Sequence, residues 1–238
     1  MVSSRSRRRK SAAGEILVEP STVTENAILS SIDRERIKLA IEGLEKQTSG
    51  ELVPLLVSQI ESYSEIHWVS GAVGALLGAL VLIADSWLQS FPLSDEWIVG
   101  VLAGCAAIGL LLSAVPALKR KLIGEERLKD RARERALAEF VAQGVLETKD
   151  RTGVLLMIAA FEHRIEIIAD TGIHSRADKK VWSEITDQIR PVIQNQGIAA
   201  GFLLAIEKIG EVLKREAPLQ PGDRNELSDG VRDGGRSS

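Results

Sequence analysis

Two uncharged apolar runs in the middle of a polar chain constrain this protein more than any other feature. Trp68 to Ala84 (WVSGAVGALLGALVLIA) and Trp97 to Leu118 (WIVGVLAGCAAIGLLLSAVPAL) contain no Asp, Glu, Lys or Arg. The first is near the minimum length for a bilayer span and the second is comfortably long enough. A helix buried in a soluble core normally keeps a polar face, and neither run has one. Both therefore read as transmembrane helices, with Trp68, Trp87 and Trp97 near their ends as interfacial aromatics. The linker between them, DSWLQSFPLSDE at 85–96, is too short to be a domain. Residues 67–118 thus read as a hairpin, with both flanking segments on one side of the bilayer.

The distribution of Lys and Arg orients the hairpin. The linker has none and carries Asp85, Asp95 and Glu96, whereas Lys119, Arg120 and Lys121 follow the second run directly. Positive charge collects on the cytoplasmic side, so the expected protein is two-pass in the plasma (inner) membrane with both termini cytoplasmic. The bilayer is its first expected partner. The basic start MVSSRSRRRK has no apolar stretch of signal-peptide type, and residues 1–25 read as a disordered arm. Residues 218–238, rich in Gly, Asp, Arg and Ser, read as a disordered tail. A net charge of −3, from 30 basic and 33 acidic side chains, gives no global basic excess, so no nucleic-acid partner is expected.

The rest of the chain alternates helical and strand patterns. Ile37, Ala40, Ile41 and Leu44 are spaced for one face of a helix over Ser31–Gln47, with Ser30 as its cap. ELVPLLVSQI at 51–60 reads as a strand, either at a sheet edge or bulged because Pro54 cannot donate a ladder hydrogen bond. After the hairpin, Glu125–Val141 is an amphipathic helix. GVLLMIAA at 153–160 and RIEIIA at 164–169 then form a strand hairpin, the first strand apolar throughout and hence central. A helix from Arg176 with Ser175 as cap, kinked or broken at Pro191, precedes a last helix over Ile198–Arg215. The first half offers one helix and one strand, too little to close a core. The expected fold is a single α/β domain of helix–sheet–helix layers, cut into 26–66 and 119–217 by the hairpin. Gly71, Gly74 and Gly78 in the first span, and Gly100 and Gly104 in the second, are spaced to let helix backbones approach closely.

Candidate chemistry centres on Asp170-Thr171-Gly172. An aspartic protease needs two carboxylates sharing a proton, so one such triplet could serve only in a dimer. The helical pattern that follows it is foreign to that design. The same triplet is explained as a strand end, with Gly172 permitting a tight turn. Alternatively Asp170 lies at the edge of the sheet and, with Glu51, Asp150, Glu166 or Asp178, offers oxygen ligands to Ca²⁺ or Mg²⁺. The metal candidates are accordingly Asp170, Glu51, Asp150 and Asp178, and Asp170 is also the catalytic candidate. His163 and His174 fall at opposite ends of one strand, too far apart to share a metal, and Cys105 reads as a small hydrophobe in its apolar run.

TSGELVPLLV, DRTGVLLMIAAFEHRIEIIADTGI and GIAAGFLLAIEKIGEVL, in that order, resemble the TPM-domain family over about residues 30–62 and 122–217. The signature pieces are Thr48, Gly50 and Glu51, then Gly153 to Leu156, then Arg164 leading into the second strand. The resemblance implies a TPM-like helix–sheet–helix fold. It carries roles ranging from accessory functions on membrane proteins to phosphatase activity, with no fixed catalytic set. Two departures from better-known members are the interrupted domain and the cytoplasmic charge bias. The expected function is a membrane-anchored, non-enzymatic accessory module acting on other membrane proteins. A divalent-metal-dependent phosphatase is the alternative and a dimeric aspartic protease the third reading. Oligomeric state is left open.

Overall fold

A computed structural model describes residues 28–88, 94–222 and 225–234. The basic arm at 1–25 lies outside the described residues, as do 89–93 of the hairpin linker. Helix α1 spans Ser31–Glu45. It starts as its cap requires: Ser30 is extended, and its hydroxyl accepts the Asp33 amide at 3.1 Å. Strand β1 (Glu51–Val57) is followed by two long helices, α2 (Glu65–Leu88) and α3 (Asp95–Ser113). Then come α4 (Pro116–Ile123), α5 (Glu125–Ala142), β2 (Gly153–Ala159) and β3 (Arg164–Ala169). The short α6 (Thr171–His174), α7 (Lys179–Gln196), α8 (Ile198–Glu216) and β4 (Arg232–Gly234) complete the chain.

The sheet order is β3-β2-β1-β4. β1 and β2 run parallel from Glu51↔Gly153 to Val57↔Ala159, and β2 and β3 form the antiparallel hairpin. Every residue of β1 and β2 is buried, because helices cover both faces. One face turns Leu52, Leu56, Leu156 and Ile158 against α1, α7 and α8 through Ile37, Ile41, Ile189, Phe202 and Ile209. The other turns Val53, Leu55, Leu155 and Met157 against α5 through Ala132, Ala136 and Phe140. Strands from before and after the apolar helices thus make one core, an α/β domain interrupted by a helical hairpin.

Several expectations change. β1 is not simply an edge: β4 pairs in parallel with its second half, Leu55↔Arg232 to Val57↔Gly234. β4 does not reach Pro54, so the missing donor costs no bond on that side. The tail expected to be disordered therefore supplies a strand, held also by Arg34 on Asp233 at 2.8 Å and by Arg232 on the Gln143 carbonyl at 2.8 Å. The helix expected from Arg176 with Ser175 as cap starts at Lys179 and is capped by Asp178, while a separate short helix capped by Asp170 precedes it and ends at Ser175. Pro191 does not end α7, which runs on to Gln196. The second apolar run breaks after Ser113, where Pro116 starts α4 as a first-turn residue.

α2 and α3 are long and apolar enough to cross a membrane, and they pack on each other while their outer faces stay exposed, Leu76 at 62% and Leu111 at 70%. Gly71, Gly74 and Gly78 face α3; a Cβ on Gly74 would lie 2.3 Å from the Cys105 carbonyl oxygen. Gly100 and Gly104 face open space instead, and Gly109 takes their expected place, where a Cβ would lie 2.2 Å from the Ser70 carbonyl oxygen.

Candidate functional site

The parallel strands β1 and β2 start at the sheet edge where β3 ends, so Glu51, Asp150 and Asp170 belong to one edge of the domain. The apolar helices leave from the opposite edge, after Val57. Asp170 has well-defined local bonding. It is buried, with its side chain 1% exposed, and it caps α6 by accepting the Thr171 amide at 2.5 Å. Arg151 Nε lies 2.9 Å from Oδ2 and 3.1 Å from Oδ1, with its hydrogen directed at Oδ1. Arg151 itself sits at φ 56°, a turn conformation uncommon for a side-chain-bearing residue. Gly172 is required by close approach rather than by a turn. A Cβ there would meet the Asp150 and Arg151 carbonyl oxygens at 2.5 Å, and its amide donates to the latter at 2.9 Å. The Asp-Thr-Gly triplet locks the 150–151 turn against the start of α6.

Asp178 is committed similarly, accepting the Lys180 amide at 3.0 Å as the cap of α7. Glu166 pairs with Arg133 at 3.3 Å, and burial pushes its carboxyl above the usual range. Of the predicted residues, the structure brings Glu51 and Asp150 together on one cavity of about 230 Å³, with Lys149 and Glu226. Glu51 is 6% exposed; its Oε1 accepts the Glu226 amide at 2.9 Å, and its Oε2 is buried with no donor among the described residues. Burial raises its pKa, partly offset by the Glu226 and Leu227 amides.

Glu45 adjoins this group and was missed from sequence. It lines a neighbouring cavity of about 460 Å³ with Glu42, Glu51, Asn225 and Asp229. Burial, then the charges of Glu51 and Asp229, push its carboxyl up to about 9. Only its position at the end of α1, just before the Thr-Ser-Gly turn, could have signalled it. Among the described residues no three His, Cys, Asp or Glu side chains converge as a metal site requires. The metal candidates Asp170, Asp178, Glu51 and Asp150 differ in what they are bonded to. Two are spent on helix caps, and the C-terminal segment lies against a third.

The hairpin edge is built differently. Glu162, 2% exposed, accepts from the Ile60 amide at 2.9 Å and the Tyr63 hydroxyl at 3.2 Å. Burial, then the Glu162 charge, holds the Tyr63 phenol above its usual range. Tyr63 stacks on Phe161 with ring centroids 6.0 Å apart, and the Lys119 ammonium lies 5.8 Å from the Phe161 centroid while donating to the Ser62 carbonyl at 2.7 Å. Arg120 sits 5.8 Å from the same ring. His67 Nδ1 and Ser113 Oγ, 2.7 Å apart, join α2 to α3 at their domain ends. The β2–β3 turn is thereby fastened to both strands of chain that connect to the hairpin.

Residues 115–212 match the family model for the TPM domain. Over those residues the chain is similar to the TPM domain. The matched stretch begins after the apolar helices and ends before β4, so the resemblance read at 30–62 lies outside it. In the fold, β1 from that unmatched part is the TPM domain's parallel partner to β2. The NMR structure of BA42 protein from the psychrophilic bacterium Bizionia argentinensis is similar, with TM-score 0.52 and 18% identity over 87% of this chain and 95% of that one. At that identity the likeness is one of fold. No curated protein matches the chain.

Proposed function

We propose that this chain is a membrane-anchored, non-enzymatic accessory module whose TPM domain acts on other membrane proteins beside the bilayer. Hairpin α2–α3 is the anchor. Its outer faces carry exposed Leu, Val and Ile that a soluble core would bury, and lipid satisfies that surface. The charge asymmetry about the linker supports cytoplasmic flanks in a two-pass plasma-membrane arrangement.

One observation carries the non-enzymatic reading. The edge that gathers the carboxylates is covered by the chain's own C-terminal segment. Glu226 donates its amide to Glu51 and accepts the Lys149 amide at 2.9 Å, while Asn225 reaches Glu45 at 2.7 Å. Asp170 is likewise held by Arg151 and by the α6 cap, so Asp170, Glu45 and Glu51 are each engaged by groups of the chain itself.

Hydrolysis of a generic phosphomonoester by detergent-purified protein tests this directly, with wild type beside Asp170→Asn and with and without Ca²⁺ or Mg²⁺. The expected result is no turnover in any condition. Turnover that needs both the cation and Asp170 would replace this reading with the metal-dependent phosphatase.

A further inference from the structure

The hairpin edge of the sheet contains a cavity that the accessory role leaves unused. It holds about 350 Å³ between the end of β2, the start of β3, the last turns of α7 and the start of α8. That volume, with mostly apolar walls and a few polar groups, suits a small-molecule site. Its polar groups are His163, Arg164, Arg190 and Gln194; Ile193 and Ile198 are among its apolar walls.

The cationic groups are placed to receive an anion. Arg164 gives one guanidinium nitrogen to Glu125, and its Nε is buried with no acceptor among the described residues. Arg190 makes no hydrogen bond or ion pair among the described residues, although it lies on a folded helix next to the cavity. Arg120 of α4 adds to the positive field: burial first, and then its charge, hold His163 below its ordinary range.

We propose that this cavity seats the phosphate of an anionic phospholipid, with Arg164 and Arg190 on the headgroup and the isoleucine walls against the adjoining carbons. Guanidinium groups bind phosphate oxygens in paired hydrogen bonds. Basic pockets on the cytoplasmic side of a membrane protein collect such headgroups. The apolar walls distinguish a lipid from a free phosphate ion, which gains nothing from them. The location agrees, since the β2–β3 turn is fastened through Phe161 to Arg120, one helix away from the end of α3. The inference rests on the membrane-anchored reading above.

The test is binding of acyl-labelled phosphatidylglycerol, beside labelled phosphatidylcholine, to the detergent-purified full chain. Phosphatidylglycerol should bind about tenfold tighter or more, roughly 1.4 kcal/mol. Arg190→Gln should remove that preference, Arg164→Gln should do the same, and Arg36→Gln, exposed on α1, should leave it intact. Arg164 also supports Glu125, so thermal melting checks its fold; Arg190 has no other partner among the described residues and carries the test alone. Equal binding of the two lipids, or wild-type binding by Arg190→Gln, overturns the proposal. Displacement of the lipid by inorganic phosphate at matching affinity overturns the lipid assignment in favour of a soluble anion. Retention of the protein in native membranes after alkaline washing reports separately on the anchor, so loss of the anchor and loss of the lipid site are distinguishable.

Discussion

The two edges of the sheet differ in their predominant charge and in what their polar groups are doing. At the distal edge Glu45, Glu51, Asp150 and Asp170 are acids, and the C-terminal segment lies over Glu45 and Glu51. At the hairpin edge Lys119, Arg120, Arg164 and Arg190 surround the β2–β3 turn, beside a cavity with mostly apolar walls. The edge richest in the residue types of catalysis is thus occupied by internal bonding, while the other keeps a guanidinium without a partner among the described residues. The difference teaches that a carboxylate's role follows from what it is bonded to, and the proposed function accordingly puts the working surface at the hairpin edge.

The largest effect sharpens this comparison from the hairpin side. Gly74→Leu drives a side chain into the Cys105 backbone, which cannot move aside as a flexible side chain can. It should cost about 3 kcal/mol or more, seen as a lower melting temperature in detergent, whereas Gly100→Leu should be tolerated because its Cβ meets nothing. Next, on the distal side, Asp170→Asn removes the charge facing Arg151 while keeping an acceptor for Thr171. Arg151 is half-exposed, so the loss should be about 1–2 kcal/mol in a melting experiment. An unchanged melting temperature would break the claim that this aspartate is structural.

The smallest effect concerns pH. Burial raises the folded pKa of Glu45 and Glu51, so the fold keeps protons that the unfolded chain releases above about pH 4.5. The stability these groups contribute should therefore decline as pH rises from there through about 9. Glu45→Gln should flatten that decline and raise the melting temperature at pH 8 by a few degrees. A pH slope identical to wild type would contradict the raised pKa of Glu45.

Much of this architecture was legible in the sequence because its signals are local. The uncharged runs marked the hairpin, the apolar β2 announced a strand covered on both faces, and Ser30 marked the start of α1. What was hidden depends on contacts between distant segments. β4 is Arg-Asp-Gly, a sequence with little strand propensity, and it is held by pairing with β1 and by Arg34. Gly109 rather than Gly100 or Gly104 meets α2, because the face a glycine presents depends on how the two helices rotate. Asp170 read as possible chemistry because the turn at Asp150 and Arg151, which explains the whole triplet, comes from across the β2–β3 hairpin. Arg164 and Arg190 lie on different elements, and only the fold shows them sharing a cavity.

Site-specific photocrosslinking in native membranes tests the central claim most directly. A photoreactive residue replaces Lys121 at the hairpin edge or Lys149 at the distal edge, both exposed positions. The account predicts discrete protein adducts from position 121 and none above background from position 149. Adducts from 149 alone would move the working surface to the acidic edge and contradict the account.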